Sequence, residues 1–105
     1  MSAKPVVLRD RARSDIEDVV EYYLGEAGLE VALSFIDEVE DALRTIGNQP
    51  GVGSPRYAHE LGVPGLRSRS AGRFAYLIFY VVHEEEVDVW RVLHAARDIP
   101  ARMRE

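Results

Sequence analysis

Apolar positions recur along this chain in two rhythms, helical up to about residue 46 and strand-like from about residue 66. The short β-branched run PVVL, Pro5 to Leu8, reads as an edge strand, with Pro5 tolerable at its start. Asp10 then reads as an N-cap. Ala12, Ile16, Val19, Val20, Tyr23, Leu24 and Ala27 fall on one side of a helix predicted over Arg11–Leu24, and Gly25 to Gly28 (GEAG) break it. A second helix is predicted over Leu29–Ile46, where Ala32, Phe35, Ile36, Val39, Leu43 and Ile46 form the cleanest stripe in the chain. Gly47 reads as its stop, with Pro50 shortly beyond. Two amphipathic helices joined by a short turn make a hairpin that needs a partner layer.

That layer lies downstream. GNQPGVGSPRYAHELGVPG, Gly47 to Gly65, carries most of the glycines and prolines and reads as a loop, long enough to imply that it packs down or has a function. LRSRS follows as a strand with Arg67 and Arg69 on one face, and Ala71-Gly72 is a turn. RFAYLIFYVV, Arg73 to Val82, is apolar on both faces and so belongs in the middle of a sheet. HEEE turns the chain again, VDVWRVL completes a meander, and Asp98 caps a short terminal helix in IPARMRE. The predicted fold is α+β: an N-terminal strand, then a helical hairpin packed on one face of a largely antiparallel four-stranded sheet. Phe35, Ile36, Val39, Leu43, Ile78 and Tyr80 are the expected core.

Composition narrows the class. With 105 residues, 47% of them hydrophobic, the chain is expected to be a single domain, residues 1–105, with one modest core. It has no cysteine, which excludes disulfides and thiolate metal sites. MSAKPVV lacks the apolar run of a signal peptide and no segment is long enough to span a bilayer, so a cytoplasmic location is expected. A net charge of −5 argues against broad or sequence-specific grip on nucleic acid, which is driven largely by cation contacts.

Candidate chemistry is sparse. His83 with Glu84, Glu85 and Glu86 sits on a tight turn whose neighbours do not converge on one ion, so no metal is expected, nor any cofactor. Ser70, His94 and Asp98 lack the motif that makes a serine nucleophilic. Gly51 and Gly53 follow a helix rather than precede one, the wrong order for a phosphate-cradling loop. Arg67, Arg69, Arg73, Arg91, His94 and Arg97 remain as contacts for a carboxylate or phosphate partner. A histidine among arginines could act as acid or base, but a strand-end histidine is more often a hydrogen-bonded structural residue. Tyr22 and Leu33 lie off the two helical stripes.

RARSDI (Arg11–Ile16), QPGVGSPR (Gln49–Arg56), GLRSRSAGRF (Gly65–Phe74), IFY (Ile78–Tyr80) and RVLHAARD (Arg91–Asp98), in this order, resemble the ParE-type toxins of the RelE/ParE toxin–antitoxin superfamily. The resemblance covers almost the whole chain. It implies a toxin neutralised by direct binding of a ParD-like antitoxin in a hetero-oligomeric complex, and one that inhibits DNA gyrase when free. By the same resemblance Tyr22 and Leu33 would face an antitoxin segment wrapped around the hairpin. RelE-like members of the superfamily are instead ribosome-dependent mRNA endonucleases. They place arginines and lysines on the meander and a tyrosine after the last strand. Here the last tyrosine is Tyr80, the central-strand arginine aligns with Leu77, and the only lysine is Lys4. A binding toxin is therefore expected rather than an enzyme. The alternatives are an endonuclease with a divergent site on Arg67, Arg69, Arg91 and His94, or a relic that binds its antitoxin and poisons nothing.

Overall fold

A computed structural model describes residues 3–105, so the first two residues of MSAKPVV lie outside it. Strand β1 (Val6–Leu8) leads into helices α1 (Asp10–Glu26) and α2 (Leu29–Asn48). A 3-10 turn (Pro50–Val52) and a six-residue helix α3 (Arg56–Leu61) follow, then β2 (Leu66–Ala71), β3 (Phe74–Val82), β4 (Val87–His94) and α4 (Ile99–Met103). The sheet order is β1-β4-β3-β2; the meander pairs are antiparallel and β1 runs parallel to β4. The apolar strand β3 is interior, as its two-faced hydrophobicity demands.

Helices α1 and α2 cover one face. Their buried side chains, led by Ala12, Val19, Phe35, Val39 and Ile46, meet Ile78, Tyr80, Val87, Val89 and Val92 of the sheet. Phe35 is fully buried among Tyr23, Phe74 and Tyr76, at centroid distances of 5.4–5.7 Å. Ile36 and Leu43 are only half-buried, on the flanks of the α2 stripe, whereas Ala42 is buried within it. The opposite face is covered too. Tyr57 of α3 and Ile99 of α4 pack on Leu66, Phe79 and Leu93, which explains why β3 is apolar on both sides. No helix among the described residues is long and apolar enough to cross a membrane.

Four local expectations change. Asp10 is the first residue of α1 rather than its cap; Arg9 holds the cap position and makes no side-chain capping bond. Leu24 is 47% exposed, because it sits a third of a turn from the line Ala12–Ile16–Val19–Tyr23 that faces the sheet, and Ala27 lies past the helix end. Gly47 does not stop α2. It is buried inside the last turn, where a Cβ would stand 3.0 Å from the Lys4 carbonyl and 3.1 Å from a Val6 methyl, so its bare backbone admits the chain entering β1. The residue 47–65 segment is more ordered than a loop. Ser54 bridges to Ser68 on the edge of β2, and the fully buried Tyr80 hydroxyl accepts from Gly53 N–H at 2.8 Å and donates to Pro50 O at 2.7 Å.

Candidate functional site

A groove of about 700 Å³ opens between α1 and the ends of β3 and β4. It exists because β1 is short. β1 accompanies β4 only along Val87–Val89; there Trp90 forms a bulge, and the rest of β4 runs on without a strand neighbour on that side. Helix α1 supplies the substitute. The Asp15 carboxylate accepts the Val92 amide at 2.9 Å and takes both Nε (2.8 Å) and Nη2 (2.9 Å) of Arg91.

Arg91 is 4% exposed, and its third donor, Nη1, goes to the carbonyl of Arg102 in α4. Glu105 lies 3.7 Å from Arg91 Nη2 and 3.5 Å from Arg11. The bidentate hydrogen bonds that Arg91 donates to Asp15, opposed by burial and helped by the nearby carboxylates, raise the Arg91 pKa above its ordinary value, so the guanidinium is permanently charged. Arg91 thus ties α1, β4 and the C-terminal turn together and braces Asp15, a residue of the groove wall.

Above this brace stand Tyr22 and Tyr23 from α1, Tyr76 from β3, and His94, Arg97 and Arg102 from the strand end and tail. His94 packs edge-on against Tyr76 at 5.0 Å, and its Nδ1 accepts the amide of Ala96, which locks the turn out of β4. Burial, then the neighbouring tyrosines, push the Tyr76 phenol above its usual pKa against the pull of Arg97, so it stays protonated. Arg102 reaches only Glu105, at 3.4 Å, and its buried Nε has no partner among the described residues.

The residues singled out from sequence are divided among several places. Tyr22, His94 and Arg97 share the groove, and Arg91, outside its lining, holds the lining residue Asp15. Leu33 is 50% exposed on α2, away from it. Arg67 lies on β2 and donates to the carbonyls of Gly51 (3.2 Å) and Gly53 (2.7 Å), holding down the segment that Tyr80 also anchors. Arg69 shares that strand face, two residues on, and Arg73 at the β2–β3 turn pairs with Glu38 at 3.4 Å. Among the described residues, these arginines form no single basic patch. Sequence reasoning missed Asp15, Asp18, Tyr76 and Arg102. Asp15 did carry a signal: it adjoins the α1 stripe at Ile16, while Arg91 adjoins the apolar pair Val92-Leu93 in β4, and two opposite charges beside buried positions suggest a pair.

A second polar cluster lies where β1 meets β4. Arg9 forks onto Asp88 at 2.8 and 3.0 Å and lies 4.3 Å from the Trp90 ring centroid, while Trp90 Nε1 donates to Asp88 at 3.0 Å. Burial works against ionisation of Asp88, but the hydrogen bonds from Arg9, Trp90 and His83 outweigh it and hold its pKa below the usual carboxylate value. Among the described residues, no group of three or more histidines and carboxylates could hold a metal ion.

Comparison with known proteins places this geometry in context. The family profile described as "ParE toxin of type II toxin-antitoxin system, parDE" matches residues 6–99. Toxin ParE1 of Caulobacter vibrioides is 30% identical over 100 residues, which is 95% of this chain and 98% of the relative. Among solved structures, the chromosomal ParDE TA system from P. aeruginosa contains a chain that superposes with a TM-score of 0.74 at 19% identity, over 88% of this chain and 96% of that one. At that identity the structural match speaks for the fold.

Proposed function

The chain belongs to the ParE toxin family of type II toxin–antitoxin systems, and from that premise we propose that a ParD-like antitoxin neutralises it by direct binding and that the free toxin inhibits DNA gyrase in the cytoplasm. The observation that carries antitoxin binding is the apolar surface around the helix–helix turn. Tyr22, Leu24, Leu29 and Leu33 are 47–63% exposed within twelve residues of chain. Large apolar side chains gathered in this way are the ordinary mark of a partner surface. An antitoxin covering Tyr22 and Leu33 would remove that area from water.

Action by binding rather than RNA cleavage is supported by where the meander residues sit. Leu77 packs towards the α3/α4 face, Tyr80 is fully buried and hydrogen-bonded to backbone on both sides, and Arg91 is consumed by Asp15. His94 supplies an imidazole to the groove, and its Nδ1 already serves the turn. Metal-free RNA cleavage needs an acid, a base and free cations around one phosphate.

Controlled expression with separate readouts of plasmid supercoiling and mRNA integrity tests the target. The expected result is disturbed supercoiling with intact mRNA, for the parent and for a folded His94→Gln variant. Cleaved mRNA that falls about 10²–10⁴-fold in His94→Gln would instead identify a general acid or base and a nuclease. For the partner, Tyr22→Ala with Leu33→Asp should weaken antitoxin binding in a titration while the thermal melt is unchanged. Unaltered affinity removes both residues from the interface.

A further inference from the structure

We infer that the free toxin pairs with a second copy of itself across the outer edge of β1, in an antiparallel two-fold contact that continues the sheet from one molecule into the other. The partner is this same chain, so the inference stands apart from the antitoxin and gyrase readings. It also lies elsewhere on the molecule: Leu43, at its centre, is about 15 Å along α2 from Leu33.

The first support is the backbone. Among the described residues β1 ends the sheet, with β4 on one side and no strand on the other. Val87 N–H donates to Pro5 O and Arg9 N–H to Val89 O, each at 2.9 Å. Alternate residues of a strand serve opposite edges, so Pro5, Val7 and Arg9 serve β4, while the peptide groups of Val6 and Leu8 face outwards. Two such edges match under a two-fold axis at Val7. Val6 then stands opposite Leu8 of the second copy, and each pair exchanges N–H···O bonds in both directions. Val7, which points to the sheet's other face, is 45% exposed. On the axis it meets its own copy as a non-hydrogen-bonded pair, the closer of the two side-chain spacings in an antiparallel ladder.

Charge supplies the second. Val6 and Leu8 turn their side chains towards α2, and with Glu40, Leu43 and Arg44 they line a shallow cavity of about 380 Å³. Its floor is apolar. Its rim carries one acid and one base, Glu40 and Arg44, both exposed and about one helical turn apart. Because the cavity sets these residues beside Val6 and Leu8, one axis serves strand and helix together. A two-fold axis midway between Glu40 and Arg44 lays α2 antiparallel to its copy and brings each Glu40 against the other molecule's Arg44. Parallel helices would instead set like charge on like. Arg44 gives only Nη1 to Asp41 among the described residues, which leaves donors for a second carboxylate. An isologous contact closes on itself, and the sheet's other edge is blocked where Ser54 bridges to Ser68, so pairing stops at a dimer. Three residues of strand and one turn of helix fall short of the standard interface of about 1,600 Å², which makes that dimer weak and concentration-dependent.

The test is sedimentation velocity on the isolated full-length toxin, which should pass from monomer to dimer between about 10 µM and about 1 mM, as a contact of this size implies. Glu40→Arg and Arg44→Glu, each checked by a melt, should weaken the dimer at least about tenfold, because each sets like charge against like. The double variant Glu40→Arg with Arg44→Glu should restore it. Exchange of the Val6 and Leu8 amides should slow at dimer concentrations, while that of Val7, already bonded to β4, should not change. Monomer at every concentration, a dimer indifferent to the single reversals, a double variant as weak as either single one, or unaltered Val6 and Leu8 exchange overturns the inference. Leu33→Asp should leave the dimer intact. Its loss in that variant would place self-association on the hairpin tip and overturn the β1 contact, so the two surfaces fail separately.

Discussion

Replacing Asp15 with asparagine keeps the size of the side chain and removes its charge. The Asp15 and Arg91 side chains are 11% and 5% exposed, so the pair is shielded from solvent, and the carboxylate accepts three hydrogen bonds from Arg91 and the Val92 amide. Breaking such a pair from one side costs about 3–5 kcal/mol, chiefly because the remaining charge stays buried without its partner. Arg91 retains the Arg102 carbonyl and a distant Glu105, which places the expected loss near the lower end, about 3 kcal/mol. For a chain of this length that corresponds to a fall in Tm of roughly 12–15 °C. Chemical denaturation should show the same loss with an unchanged m-value, and the difference between parent and variant should persist at high salt, since a buried pair is poorly screened. Asp15→Leu combined with Arg91→Met should recover part of the loss, leaving the Val92 amide unpaired. A cost below about 1 kcal/mol, the range of a surface ion pair, would refute the assignment of this pair as the brace of the groove wall.

Phe35→Ala removes a fully buried ring from the Tyr23–Phe74–Tyr76 cluster and should cost about 3–5 kcal/mol in equilibrium unfolding. Tyr80→Phe keeps the ring but orphans the Gly53 amide, so about 1–3 kcal/mol should be lost, with faster amide exchange at Gly53. Burial raises the Tyr80 pKa, partly offset by the Gly53 hydrogen bond, so its contribution is complete below the unfolded tyrosine value and lost as pH rises through the higher folded one; Tyr80→Phe should flatten that alkaline limb. Asp88 behaves in the opposite sense. Its depressed pKa gives stability present above the unfolded carboxylate value and lost as pH falls through the lower folded one, and Trp90, the chain's single tryptophan, should report that transition by fluorescence; in Asp88→Asn it should be absent.

The sequence by itself determined the elements and which of their faces are buried. Periods of 3.6 and 2 are local consequences of backbone geometry, so the Phe35–Val39–Ile46 stripe and the two-faced β3 specify a hairpin over a sheet before any coordinates are known. It also showed the exposure of Tyr22 and Leu33, because a residue off the stripe has nowhere else to point. Only the tertiary structure decided what the polar residues do. Arg67, Arg91 and Arg97 look alike in sequence, yet one holds loop carbonyls, one is buried against Asp15 from 76 residues away, and one stands free at a groove. Ion pairs and hydrogen bonds depend on distances between elements remote in the chain, and no period records them. Gly47 shows the same limit: it reads locally as a helix stop, but the close approach of Lys4 and Val6 makes it the point where α2 and β1 touch. The groove itself follows from where β1 ends relative to β4, a register that only packing fixes.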